Sequence, residues 1–273
     1  MTSPEGLFLS LPAVDILRHG LALTCGGAVG FSLGLIGGGG SVLAVPLLLY
    51  VVGMPDPHLA IGTSALAVAA NAFANLAPHA RAGNVRWGPA TVFAAGGVLG
   101  AWAGSTAGKA FDGQHLLVLF ALLMMVIAAL MQRPRRFVAG GPVRLTPRLA
   151  ARFAGAGLGT GLLAGFFGIG GGFLIVPALT LICGLATLEA IGSSLLSVGV
   201  FGFTTAVNYA TSGLIDWTIA ALFIAGGVAG GAFGTASAGR LARNRLALNR
   251  VFGAIVLSVA LYMLAHSTGV FGG

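Results

Sequence analysis

"GLIGGGGSVLAVPLLLY", residues 34–50, places four consecutive glycines, Gly37–Gly40, inside an otherwise apolar stretch. Glycine weakens a helix interior by roughly 0.5–1 kcal/mol relative to alanine, so this segment is written to break where it is most hydrophobic. The chain then says it again, at residues 165–181: "GFFGIGGGFLIVPALTL".

Outward from these two stretches the whole chain reads as a duplication. Pro177 follows Pro46 at an offset of 131, and after the loss of one residue an offset of 130 holds. "AIGTSAL" (60–66) matches "AIGSSLL" (190–196), and "GNVRW" (83–87) matches "GLIDW" (213–217), pairing Trp87 with Trp217. Gly96, Gly100 and Gly104 match Gly226, Gly230 and Gly234. The duplication divides the chain into a first repeat (1–132), a basic linker (133–148) and a second repeat (149–273).

Composition sets the class. The 273 residues are 57% hydrophobic and only 7% charged, with a mean hydropathy of +0.98, where soluble domains carry about 25% charged residues. Continuous apolar runs such as "LLVLFALLMMVIAALM" exclude a β-barrel, which needs alternating strands. The expectation is an all-α polytopic membrane protein. The net charge of +8 does not imply a nucleic-acid partner, because the arginines gather in short loops. Arg133, Arg135, Arg136, Arg144, Arg148 and Arg152 fall in one, and Arg240, Arg243, Arg245 and Arg250 in another, as the positive-inside rule describes. A basic leader followed by a cleavage site is not seen at the N-terminus.

Each repeat contains five apolar segments: 14–36, 41–52, 59–77, 88–108 and 115–131, then 149–167, 172–183, 188–209, 217–238 and 246–265. The second of each five is too short to cross a bilayer comfortably. It reads as a half-helix or re-entrant element, giving 8–10 transmembrane segments in all. With the linker in the cytoplasm, the four arginines of the last loop must be cytoplasmic too. The first four segments then make an even number of crossings, and the repeats are inverted. Merging the first two segments into one kinked span would make the halves parallel and put those arginines outside. Both termini fall on the non-cytoplasmic side of a bacterial inner membrane.

Inverted repeats with glycine-interrupted segments in matching positions point to a secondary transporter and its substrate site. The amides of Gly39, Gly40, Ser41 and Val42 and those of Gly170, Gly171, Gly172 and Phe173 are expected at helix N-termini, where N–H groups and the dipole favour an anion, and Gly38 joins these glycines and Ser41 as a candidate substrate-binding residue. Their alternative role is to permit tight packing or a turn. The hydroxyls Thr63 and Ser64, repeated as Ser193 and Ser194, are candidate donors to anion oxygens, or bond their own helix carbonyls. Asn71 and Asn75, four apart, are candidate substrate ligands or helix–helix glue, as is Asn208 for the latter. No carboxylate lies mid-span, where proton or sodium coupling often places one. His58 and Glu189, flanking the third segment of each repeat, are candidate gating or coupling groups. That pattern suits a uniporter, or coupling through the substrate's own proton.

Cys25 and Cys183 make neither a metal spacing nor a disulfide framework and read as packing residues. "GIGGGF" is not a dinucleotide fingerprint, since Phe173 stands where its last glycine is required. No catalytic triad, metal-ligand set or cofactor motif appears, so an enzyme is not expected. The glycine stripes on the fourth segments suit close packing within or between repeats, or a homodimer.

The chain resembles the TauE/SafE-type sulfite exporters. The likeness rests on "GLIGGGGSVLAVPLLL" with "AIGTSAL", on "GFFGIGGGFLIVPAL" with "AIGSSLL", and on the tryptophan turn before each glycine-striped segment. It implies transport of small sulfur oxyanions and organosulfonates, such as sulfite or sulfoacetate, with substrates differing among members. The expected function is therefore export of such an anion. Import of thiosulfate or a related compound, and a non-transporting membrane scaffold, are the alternatives.

Overall fold

The computed structural model describes residues 5–132, 146–241 and 245–267, and among them all regular structure is helical. Most of the basic linker, and the side chains of Cys183, Arg240, Arg243 and Arg245, lie outside what is described. In chain order the helices are α1 (Glu5–Ile36), a short broken segment (37–51), α3 (Pro57–Arg81), α4 (Trp87–Ala110) and α5 (Gly113–Gln132). The second half gives α6 (Pro147–Phe167), α7 (Gly172–Cys183), α8 (Thr187–Ala210), α9 (Trp217–Leu241) and α10 (Arg245–Ser267). The broken segment winds as 3₁₀ turns over Gly37–Leu43, one α turn at Ala44–Pro46 (α2) and a π stretch over Leu47–Val51. Proline donates no hydrogen bond and crowds the preceding turn, and Pro46 stands where the winding changes. Its counterpart α7 keeps regular helix through Pro177 for 12 residues. The two short elements thus share a place in the fold but not a conformation.

Helix directions follow from where glycine backbones meet. Gly26, Gly30 and Gly34 of α1 lie against Phe223, Gly227 and Gly231 of α9, so these helices run parallel. Gly96, Gly100, Gly104 and Gly108 of α4 lie against Ala154, Leu158, Leu162 and Phe166 of α6, again in parallel. The equivalent helices α3 and α8, however, run antiparallel: Gly62 meets Tyr209, Gly202 meets Ala65 and Ala69, and Gly199 meets Phe73. Two copies whose matching helices oppose each other are related by a twofold axis across the helices, which lies in the membrane plane. The repeats are inverted.

The same contacts settle the first two segments. Asn71 and Asn75 of α3 lie against Gly227 and Gly231, so α3 is parallel to α9 and hence to α1. The chain between α1 and α3 must therefore return. It does so as a hairpin, with Gly40 folded back against Ser32 and Leu33. In the second half Gly171 folds back against Thr160 and Ala164. Both turns use a left-handed glycine, Gly37 at φ 76° and Gly168 at φ 68°, which a residue with a Cβ adopts only with strain.

The halves are interlocked, because the first helix of each packs on the fourth helix of the other. The glycine stripes take part in that packing between the halves. A methyl group at Gly100 would overlap the Leu158 carbonyl, and one at Gly230 the Gly27 carbonyl. Among the described residues six stretches are long and apolar enough to cross a membrane: Asp15–Val51, Pro57–Arg81, Pro147–Phe167, Leu188–Ala210, Trp217–Ser237 and Arg250–Ser267. The glycine-rich α4 lies beside α6 along its whole length without reaching that hydropathy. Exposed Leu99, Trp102, Phe233 and Val126 present an apolar surface suited to lipid. Trp87 and Trp217, both exposed, sit at matching helix starts and so at opposite ends of the bundle, where tryptophan favours the interface.

Gly100→Leu and Gly230→Leu are expected to abolish recovery of folded protein, since neither backbone can withdraw. Gly159→Ala, where nothing lies within 4 Å, is expected to be neutral or stabilising by up to about 1 kcal/mol. Thermal melts in detergent check both. Split within the linker, the two halves are expected to be recovered together on co-expression and neither alone, as read by pull-down of one half with the other.

Candidate functional site

The two hairpin turns meet inside the bundle. The backbones of Gly38 and Gly172 touch, so that a Cβ on either would overlap the other. Val198 packs against both Gly38 and Gly170, and Val68 against Gly170. Gly37–Gly40, Ser41 and Val42 are all buried. The space expected between two helix N-termini is filled by backbone. Only the second half presents a regular α-helix start there, α7 with Gly171 as its cap residue. The 3₁₀ winding of Gly37–Leu43 takes its later amides into its own turns, while the Gly38 N–H reaches the other half.

The paired hydroxyls are the clamps of this arrangement. Ser64 Oγ donates to Ile61 O at 2.8 Å and to Gly168 O at 3.2 Å, reaching from α3 to the turn of the other half. Ser194 Oγ donates to Ile191 O at 2.8 Å and accepts from Gly38 N–H at 3.4 Å, the same reach in mirror order. Thr63 Oγ1 accepts from Asp216 N–H at 2.9 Å, and Ser193 Oγ accepts from Arg86 N–H at 2.9 Å. Each hydroxyl thus fixes the loop preceding the other half's glycine-striped helix. Ser41 Oγ donates to Gly38 O at 2.7 Å within its own turn. The sequence motif "IGTS"/"IGSS" is therefore an inter-repeat lock, with its serines and threonine engaged on protein.

The polar side chains differ between halves. Along one face of α3 run Asn71, Asn75 and His79, all buried. Asn75 Nδ2 donates to Asn71 O at 2.9 Å, and His79 Nε2 lies 3.3 Å from Gly34 O. The Asn71 amide has no partner on either Nδ2 or Oδ1. At the equivalent places on α8 stand Phe201, Thr205 and Tyr209, and Phe201 stacks on Phe93 at 6.2 Å. His79 and Tyr209 escaped the sequence reading. The 130-residue offset pairs them, and the spacing of four from Asn75 places His79 on the asparagine face.

The charged groups sit at the ends. Glu189 is ion-paired with Arg86 at 2.6 Å, joining the start of α8 to the start of α4, and the carboxylate raises the Arg86 guanidinium above its usual value. This candidate gating group is held by a partner from the other half. His58 gives its N–H to Asp56, the cap of α3, at 2.9 Å, while its Nδ1 is buried without a partner. Asp112 and Asp216 likewise accept from the first-turn amides of α5 and α9, as carboxylates at helix N-termini do. Lys109 donates to Asn208 O, Asn208 Oδ1 and Ser212 Oγ at 2.7–2.8 Å. Asn208 Nδ2 in turn donates to Ser105 and Thr106 of α4, which is the gluing role asparagine plays in membrane bundles. Cys25 is a buried free thiol.

Thr63→Val and Ser193→Ala should each leave a loop N–H unpaired and lower stability by about 1 kcal/mol, toward the small end of the range for such groups because both loops are only partly buried. Thermal melts check the loss. A fall in transport with no fall in melting temperature would instead make these hydroxyls substrate ligands.

A model of the TauE family, described as sulfite exporter TauE/SafE, matches residues 22–263. A probable membrane transporter protein of Xylella fastidiosa (strain 9a5c) is 54% identical over 243 residues, covering 89% of this chain and 93% of the relative. One from Haemophilus influenzae is 30% identical, covering 71% of this chain and 74% of its own. The probable membrane transporter YunE of Bacillus subtilis is 27% identical, with 74% and 82% covered. No solved structure matches the chain. The matched residues run from within α1 to within α10 and take in both hairpins and both "AIG" motifs, and the chain belongs to the TauE/SafE sulfite exporter family.

Proposed function

We propose that the chain is a secondary transporter or facilitator that exports small sulfur oxyanions, namely sulfite, sulfoacetate or another organosulfonate, across the plasma membrane of a bacterium. The observation that carries this reading is the meeting of two inverted, glycine-turned hairpins at Gly38 and Gly172. Broken elements from opposite faces that meet near a pseudo-twofold axis are where secondary transporters hold substrate. Membership of the sulfite exporter family supports the substrate class.

The closed contact is one end of a cycle. Glycine against glycine has little side-chain surface to separate, so rocking one hairpin against the other opens the interior at modest cost. Opening frees the Gly38 N–H from Ser194, exposing amides that attract an anion without a fixed positive charge. Binding of that kind is weak enough to release substrate on the far side. Arginine placement supports an orientation with the linker, the Arg86–Glu189 pair and the end of α9 in the cytoplasm and both termini outside. Carboxylates serve as caps or pair with arginine wherever their hydrogen bonds are described. The reading is therefore uniport, or coupling through a proton carried by the substrate.

Purified protein in liposomes is expected to move sulfite and sulfoacetate faster than empty liposomes do, and sulfate little. Thiosulfate movement alone, driven inward, would replace export with uptake of a reduced sulfur compound. Inert liposomes for all four anions would favour a scaffold. Gly172→Val, which wedges the hairpins apart, is expected to lower sulfite flux at least tenfold in whatever fraction folds.

A further inference from the structure

Asn71 lies close to the centre of the α3–α8 crossing, near where Gly202 meets Ala69 and Gly199 meets Phe73. Its side chain is fully buried, yet among the described residues neither Nδ2 nor Oδ1 has a hydrogen-bond partner. A buried amide left unpaired is costly, more so where no bulk water reaches. What surrounds it is backbone without side chains. Gly227 of α9 faces the amide directly, so that any Cβ there would strike it, and Gly30 of α1 lies against Gly227 from the other side.

The second half provides an internal comparison. At the equivalent position Phe201 fills the same space against Gly97, and its ring stacks on Phe93. The architecture at this point is therefore satisfied by an apolar side chain. Packing does not require an amide, and hydrogen bonding within the protein does not use one.

We infer that Asn71 is a substrate-contacting residue. Its Nδ2 donates to an oxygen of the sulfur oxyanion as the anion passes along this face of α3. The half of the path along α3 runs from the Asn71 amide past Asn75 to His79, while its counterpart along α8 runs Phe201, Thr205 and Tyr209, with an apolar ring where α3 has the amide and hydroxyls in place of the second amide and the imidazole. The two halves are thus alike in backbone and unlike in chemistry, and selection of the anion falls to the α3 half. This inference rests on the transport reading above and names the residue through which that reading selects its substrate.

The test uses Asn71→Leu and Asn71→Phe in the full-length protein, with sulfite as the probe in liposomes and thermal melts in detergent. Leucine matches asparagine in shape and removes two unpaired polar atoms, so the melting temperature should hold or rise. Phenylalanine copies what Phe201 does opposite Gly97. Sulfite flux should fall about tenfold or more in both, as expected for loss of a hydrogen bond to a charged group. Wild-type flux in a folded variant would overturn the inference. So would a clear drop in the melting temperature of Asn71→Leu, since it would show that the amide holds the bundle together. If the wild-type protein itself moves no anion, it is the transport reading that fails.

Discussion

Contact of bare backbone with bare backbone is the constraint on which the structure depends. α1 lies on α9 and α6 on α4 through glycines that meet carbonyl groups directly, and Gly38 meets Gly172 where the hairpins cross. In a bilayer, association between helices gains little from excluding water and relies on close packing and on polar contacts. Small residues every fourth position supply that closeness. Because each stripe receives a helix from the other half, the repeats hold each other, and the hairpins are carried into the centre of the molecule by partners that cannot be shifted singly.

That arrangement explains the distribution of polar groups. A chain that turns inside a membrane leaves amides and carbonyls to be satisfied by protein. Here hydroxyls from the opposite half do it: Ser64 for Gly168 O and Ser194 for Gly38 N–H. The charges stay at the ends of the bundle, in the Arg86–Glu189 pair at one and the Lys109–Asn208–Ser212 cluster at the other. Among the described residues Asn71 then remains as a fully buried side chain in a span with both its donor and its acceptor unpaired, beside single unpaired atoms on His79, Ser197, Thr205 and Tyr209.

Much of this was legible in the sequence because glycine and proline mark breaks by what they lack. The two glycine clusters, Pro46 and Pro177, and the "AIG" motifs located the hairpins, and the arginine loops required an even number of crossings before the parallel α1 and α3 showed it. What the sequence did not disclose are pairings between halves. Ser64 with Gly168 and Arg86 with Glu189 are joined across 104 and 103 residues, and nothing in local spacing signals them. The hydroxyls read as anion donors therefore proved to be engaged on the opposite repeat, and Glu189 proved to be paired. The unequal winding of the two short elements was hidden for a related reason: matching glycines and prolines mark where a chain breaks, while its winding depends on what it packs against.

Inversion of the repeats is the claim from which the crossing hairpins and the proposed path follow, and side-specific labelling tests it most directly. Ala82 and Thr211 are exposed residues at the matching ends of α3 and α8. Single cysteines placed there, in a background lacking Cys25 and Cys183, can be challenged with a membrane-impermeant thiol reagent on intact cells. The account predicts that Thr211→Cys is labelled from outside and Ala82→Cys only after the membrane is opened. Labelling of both from the same side would make the halves parallel and contradict it.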